Sequence, residues 1–296
     1  MRSPRLPVNV RAWLYLLPSL TIIAVFVVFP LVMAFRMGFY DSYNYYTNVG
    51  QGFGLRSFGK VLSDPAFHLS VRNTLLLAFG AMPVSMMISL MIALGLNASG
   101  KWRGWLETAY FLPYVTSVIA LGIVFRWLFH SQYGLINYLL GLLGAEPVPW
   151  LNNPHTAPFA LAIYCIWVGL PFKTIVFLAG LRNIPRFYEN AARVDGAGPR
   201  RRFFRVTLPL LSPTILFLVV VSLIEAFKTY NEVYALFGEF GGPVGAGSTV
   251  VFYIYRTFYG AGRMHIAAAA AVILFLAIVI VTLVQFLIGK RYVHYR

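Results

Sequence analysis

Charge is scarce in this chain of 296 residues: 11% of it is Asp, Glu, Lys or Arg, only nine of those residues are acidic, and there is a single cysteine. One cysteine excludes any disulfide within the chain, and Cys165, set in a long apolar run, reads as a packed thiol. The five histidines, His68, His130, His155, His265 and His294, have no ligand-type neighbour at i+3 or i+4, so no metal site is legible. Gly-x-Ser-x-Gly, a paired-aspartate span and His-Glu-x-x-His are all missing, which leaves no nucleophile with its base and no catalytic residue to name. Gly95 to Lys101 fits G-x-x-x-x-G-K, but Trp102 stands where a magnesium-binding Ser or Thr is needed, and an apolar helix precedes it where a strand is required. It reads as a turn, and the chain needs no nucleotide or metal cofactor of its own.

Apolar residues are what is abundant. With 59% hydrophobic residues and a mean hydropathy of +0.72, a soluble globular domain is a poor fit. Six apolar runs can be drawn, about Ala12 to Phe35, Thr74 to Leu96, Thr108 to Phe129, Ala157 to Leu181, Pro213 to Leu236 and Ile266 to Gly289. Each has roughly 20 residues or more, enough at about 1.5 Å rise per residue to cross a ~30 Å hydrocarbon core. The expected fold is an all-α membrane protein, one domain over 1–296 with six spans in lipid. Pro18, Pro30, Pro83, Pro113 and Pro171 lie inside spans and predict kinks.

Basic residues set the orientation. With the N-terminus inside, fifteen fall on the cytoplasmic side: Arg2, Arg5, Arg11, Lys101, Arg103, Arg182, Arg186, Arg193, Arg200, Arg201, Arg202, Arg205, Lys290, Arg291 and Arg296. Six fall outside, and Arg126, Lys173 and Lys228 lie within spans. Both termini are therefore expected in the cytoplasm. The net charge of +15 follows this topology and lines no soluble face, so nucleic acid is not an expected partner. The first apolar run is longer than a signal-peptide core and no A-x-A-like site follows it, so it is expected to stay as the first span.

Between the fourth and fifth runs lies a polar, basic insert over 183–213, NIPRFYENAARVDGAGPRRRFFRVTLPLLSP. Asn183 can cap a first helix, Pro185 suits its first turn, and Phe187, Ala191 and Val194 fall on one apolar stripe. Gly196 and Gly198 break that helix. Pro199 can start a second, with Arg200, Arg201, Arg202 and Arg205 on it, which is expected to stop before Pro209. The stripe is too short to span lipid, so the hairpin must lie at the interface or fill a groove in another protein.

The run Asn190-Ala191-Ala192-Arg193-Val194-Asp195-Gly196-Ala197, followed by Leu208-Pro209 and Pro213, resembles the cytoplasmic coupling loop, often called the EAA loop, of the permease subunits of bacterial ATP-binding-cassette importers. The family glutamate falls on Asn190 here, and Glu189 lies one residue early. The resemblance implies that Glu189, Asn190, Ala191, Ala192, Asp195, Gly196, Ala197 and Pro209 couple the chain to an ATPase. Softer likenesses to the carbohydrate branch, of maltose and glycerol-3-phosphate type, lie in Phe58 to Phe67, Arg72-Asn73-Thr74, Trp150 to Pro154 and Gly241-Gly242-Pro243. The large external domain of the maltose member is missing.

Such importers combine two permeases, two ATPase subunits that bind ATP and magnesium, and an extracytoplasmic solute-binding protein. The resemblance therefore implies a sugar or oligosaccharide permease in the bacterial cytoplasmic membrane, paired with a different permease chain. Residues 36–72 would be an external loop. A second, His130 to His155, contains the apolar stretch Leu135 to Leu143 and could dock a partner or cap the bundle.

Solute-path candidates follow from polarity at membrane depth. Glu225, Lys228 and Glu232 fall at i, i+3 and i+7, share a helical face and can pair. Phe227, Tyr230, Asn231 and Tyr234 surround them with groups that stack on sugar rings and bond hydroxyls. Gly169-Leu170-Pro171-Phe172-Lys173 is a break in the otherwise apolar fourth span, and the maltose-type match implies solute contact by Gly169 and Phe172. Lys173 can pair with Glu225 or Glu232, snorkel, or touch solute. With Lys173 and Lys228 both on the path, an acidic sugar or sugar phosphate such as glycerol-3-phosphate becomes the alternative. Intramembrane charge also suits a gradient-driven secondary carrier, but no inverted repeat relates 1–150 to 151–296.

Overall fold

The computed structural model describes residues 8–44, 47, 49–98 and 103–292. Arg2, Arg5, Lys101 and Arg296, and the Ser99 to Trp102 part of the phosphate-loop look-alike, lie outside them. The chain divides into two compact units, 1–63 with 257–273, and 64–256 with 274–296.

In the first unit, α1 runs as Val8–Ile23, a π-helical turn Ala24–Val28 and Phe29–Gly38. Its side chains from Trp13 to Val32 are mostly exposed apolar groups, as a helix facing lipid requires. Strands β1 (Tyr40–Asn44) and β2 (Val49–Phe53) then pair antiparallel, with Tyr40 opposite Phe53 and Asn44 opposite Val49. The all-α expectation therefore fails within 36–72: Tyr, Phe and Val favour a pleated ribbon there. Phe39 stacks on Phe53 (5.6 Å) and packs against Phe58 (5.0 Å) of α2 (Arg56–Leu62), and Ser57 Oγ donates to Tyr40 O at 2.7 Å. These contacts fasten ribbon to helix.

In the second unit, α3 (Pro65–Ala98) begins nine residues before the expected span, because Asp64 accepts a bond from Ala66 N and caps it. Helix α3 packs along α7 (Ala157–Arg182). Ser85 and Ser89, one turn apart, donate to the carbonyls of Ile166 and Leu170, also one turn apart, each at 3.2 Å. Such side-chain bonds hold helices together where lipid removes the hydrophobic drive for association. Helix α7 runs uninterrupted through Pro171, so the expected break at Gly169 to Lys173 is not a break in the helix.

Two expected spans are broken. The third is α4 (Arg103–Phe111), a 3₁₀ turn Leu112–Val115 and α5 (Val118–Leu128). Pro113 has no amide proton and Ser117 is extended (φ −57°, ψ 131°), so helical bonding cannot cross this stretch. Tyr164 on α7 donates to Val118 O at 2.6 Å at the start of α5, and Gly122 of α5 lies so close to Ala235 that a Cβ there would clash. Helix α6 (Leu135–Leu142) follows, and buried Asn137 ties its loop together by bonding Ser131 O, Val148 N, Val148 O and Trp150 Nε1.

The insert holds α8 (Arg186–Val194) and α9 (Pro199–Leu210), and α10 (Ser212–Phe227) follows at a bend of 64°. Asn183 turns out to be the C-cap of α7, and Pro185, extended at ψ 130°, takes the N-cap position of α8. Helix α9 also passes Pro209 and ends at Leu210, so the bend falls two residues later than expected. The fifth span breaks at Lys228 to Tyr230 before α11 (Asn231–Phe237). Thr229 Oγ1 donates to Glu225 O, and Thr229 O accepts from Thr249 Oγ1 at 2.5 Å, so the groups freed by the break are re-satisfied.

Helix α12 (Val250–Tyr255) and α13 (Met264–Tyr292) complete the fold. Among the described residues four helices are long and apolar enough to cross a membrane, or five with α9 and α10 taken together.

The Gly241-Gly242-Pro243 loop takes left-handed φ values of +68° and +87° at its glycines, which suit residues without a Cβ. Asn73 Nδ2 holds the end of that loop through Ala246 O (2.6 Å) and Ser248 O (2.9 Å), and Thr74 Oγ1 accepts from Val250 N. Asn73→Leu strands two buried carbonyls, and removing such a donor costs about 1–3 kcal/mol per group. The variant is expected to unfold at a clearly lower temperature in detergent; an unchanged transition would deny the Asn73 anchor.

Candidate functional site

The break between α10 and α11 opens a cavity of about 330 Å³ lined by Met82, Tyr114, Cys165, Val168, Gly169, Phe172, Lys173, Ile224, Glu225, Lys228, Thr229, Asn231 and Glu232. Seven of these, Gly169, Phe172, Lys173, Glu225, Lys228, Asn231 and Glu232, are residues that polarity or resemblance singled out. The other proposed path residues lie elsewhere. Phe227 is buried in the apolar core, Tyr234 packs against that core, and Tyr230 stacks with Tyr234 and Phe252 and meets Tyr255 at a tilt. They support the wall and do not line the cavity.

The charges are arranged differently from the helical-face expectation. Because the helix stops at Phe227, the i, i+3, i+7 relation among Glu225, Lys228 and Glu232 no longer places them on one face. Among the described residues, none of the three forms an ion pair with another, and Lys173 has no carboxylate at ion-pair distance. Lys173 is 0% exposed, and its Nζ donates to Gly169 O at 3.2 Å. Two ammonium groups and two carboxylates thus border one space, with Glu225 and Lys228 on its open side. Tyr114, from the 3₁₀ turn in the broken third span, stacks on Phe172 (6.3 Å, 19°) and adds an aromatic wall. Sequence reading missed Tyr114 because hydropathy drew one unbroken helix through it.

At the C-terminal end of α7, nine residues beyond Lys173 and so about 14 Å further along the helix at ~1.5 Å per residue, stands the hairpin. Asp195 ends α8, Gly196 N donates to Arg193 O, and Ala197 N donates to Ala192 O (2.9 Å), with Gly196 at φ +71°. This pair of bonds closes a helix with a left-handed residue and aims the chain toward α9. Glu189 accepts from Arg193 Nη2 at 2.9 Å and lies 3.9 Å from Arg202 Nη1, so its carboxylate joins α8 to α9. Asn190 and Ala191 are exposed and Ala192 half-buried, while Pro209 lies in the last turn of α9. Phe187 (73% exposed) and Val194 (88%) lie open with Ala191 on the predicted stripe. Apolar groups this open on an otherwise basic hairpin have the character of a docking face. The Arg182–Glu107 ion pair links the end of α7 to α4 beside it.

Comparison with known proteins agrees with these features. Residues 85–294 match the family model described as binding-protein-dependent transport system inner membrane component. The trehalose/maltose transport system permease protein MalF of Thermococcus litoralis is 31% identical over 94% of this chain and 93% of its own length. The arabinooligosaccharides transport system permease protein AraP of Bacillus subtilis is 31% identical over 92% of this chain and 86% of its own length. The sn-glycerol-3-phosphate transport system permease protein UgpA of Pectobacterium atrosepticum is 32% identical over the full length of both. In fold, a chain of a bacterial ABC transporter involved in the import of the acidic polysaccharide alginate superposes with a TM-score of 0.81, at 22% identity, over 96% of each chain. The chain belongs to the binding-protein-dependent transport system inner membrane component family.

Proposed function

We propose that this chain is the permease subunit of an ATP-driven importer of a sugar or oligosaccharide. It forms half of the translocation path and couples through residues 183–213 to a separate ATPase. The cavity at the α10–α11 break carries this reading: donors, acceptors and two aromatic rings border a space open on one side, which suits a polyhydroxylated solute and a facing second permease. Arabinooligosaccharide and trehalose/maltose permeases among the relatives support the solute class. ATP and magnesium belong on the partner ATPase pair, and an extracytoplasmic solute-binding protein delivers the solute. Closure of the ATPases shifts the permease between inward- and outward-facing states because ATP binds one of them better.

Six spans, with the third and fifth broken, and both termini in the cytoplasm of a bacterium complete the reading. The hairpin then faces the cytoplasm, and 36–72 and the Gly241-Gly242-Pro243 loop face outward. The second reading, an acidic sugar or sugar phosphate, draws on Lys173 and Lys228 both lining the cavity and on the glycerol-3-phosphate relative.

Affinity purification of the chain from detergent-solubilised membranes of its source tests the proposal. An ATPase should co-elute and be stimulated by one class of sugar together with its binding protein. A single-chain eluate whose transport collapses with an uncoupler would instead establish a gradient-driven carrier.

A further inference from the structure

A second cavity, of about 480 Å³, lies at the opposite end of the second unit from the hairpin, where α5 and α11 end and α7 has yet to begin. It is lined by Arg126, His130, Leu151, Asn152, Leu236, Phe237, Gly242 and Pro243, with no acidic residue among them. Its polar side chains are held ready as donors. Arg126 is fixed by two bonds, Nε to Leu236 O (3.0 Å) and Nη2 to Tyr234 O (3.3 Å), which leave Nη1 without a hydrogen-bond partner among the described residues. His130 Nδ1 accepts from the backbone N–H of Gln132 (3.2 Å) and Tyr133 (3.5 Å), so Nε2 is the nitrogen left to donate. The side-chain amide of Asn152 has no hydrogen-bond partner among the described residues either. Phe237 and Pro243 supply apolar surface of the kind a pyranose ring covers.

From this arrangement we infer that the cavity is a recognition site for the carboxylate of an acidic saccharide, engaged before the solute reaches the α10–α11 cavity. Guanidinium, imidazole N–H and amide N–H all donate, and a carboxylate offers acceptor sites to all three. The two cavities differ in kind: the inner one balances two ammonium groups with two carboxylates, whereas this one has a fixed guanidinium and no counter-charge. Arg126 is held by carbonyls of α11, whose far end borders the inner cavity, so the two sites share one helix. The inference rests on the importer reading for its outward position and for the saccharide class.

The test is calorimetric titration of the full-length chain in lipid nanodiscs with trigalacturonate and with its methyl-esterified, uncharged counterpart. A charge-assisted contact predicts that trigalacturonate binds about tenfold more tightly than the ester. His130→Ala and Asn152→Ala should each remove most of that preference, and neither disturbs the Arg126 bonds that anchor α11. Equal binding of acid and ester, or an unchanged preference in both variants, overturns the site. A carboxylate on a docked protein would satisfy the same donors, and absence of trigalacturonate binding to the chain alone overturns the saccharide assignment in its favour. Binding needs no ATPase subunit, so a preference that persists in a chain unable to support ATP-driven uptake upholds this site while refuting the importer reading.

Discussion

Gly196→Val is expected to stop transport while the chain still inserts and folds. Gly196 holds φ +71° at the residue after the α8 cap, with nothing within 4 Å of where a Cβ would sit. The penalty is therefore conformational and involves no clash. An L-residue in the left-handed region costs about 1–2 kcal/mol, and a branched side chain sits at the high end or above. The chain avoids that cost by leaving this conformation, which re-aims α8 relative to α9 and breaks the Gly196–Arg193 and Ala197–Ala192 bonds. The open face of Phe187, Ala191 and Val194 then no longer matches a rigid cleft. Solute-stimulated ATPase activity should fall roughly tenfold or more, since each ~1.4 kcal/mol of lost alignment is a factor of ten. Gly196→Asn, a residue that enters the left-handed region readily, should keep most of the coupling. Wild-type transport in Gly196→Val would remove the elbow from the mechanism.

Lys173→Met is expected to raise thermal stability and lower transport. The Lys173 side chain is fully buried, its Nζ reaches a carbonyl of its own helix, and no carboxylate lies at ion-pair distance among the described residues. A buried charge without a close partner is costly, and replacing it with an apolar group of similar shape commonly gains stability. If the ammonium serves solute, its loss should cut uptake by roughly tenfold, the scale of one hydrogen bond from a charged group. The residual uptake should shift in its preference between neutral and acidic sugars. Unchanged uptake with a lower melting temperature would make Lys173 a structural residue.

Much of the architecture could be read from composition and spacing. Helix α7 runs Ala157–Arg182 against an expected Ala157 to Leu181, because its apolar length marks it. The hairpin was legible from Gly196 and Pro199, whose conformational preferences are local. The two broken spans were not, since Leu112 to Ser117 and Lys228 to Tyr230 sit within stretches apolar enough to look continuous, and what breaks them is partly remote. Thr249 reaches Thr229 across 20 residues and Tyr164 reaches Val118 across 46, distances at which periodicity carries no signal. The same limit moved Phe227, Tyr230 and Tyr234 from the expected path into its supporting wall. The β1–β2 ribbon escaped because Asp, Ser, Asn and Gly interrupt the Tyr, Val and Phe of its five-residue strands, which then read as loop.

The central claim, that the α8–α9 hairpin seats in an ATPase subunit, is tested most directly by cross-linking. Cys165 is the chain's single cysteine and is buried, so Val194→Cys places one exposed thiol on the apolar stripe. Val244→Cys, at an exposed position on the Gly241-Gly242-Pro243 loop, provides a control on the face proposed to be external. In native membranes treated with a short thiol-to-amine cross-linker, the Val194→Cys chain should form a covalent adduct with an ATPase subunit and the Val244→Cys chain should form none. An adduct at Val244 without one at Val194 would contradict the account.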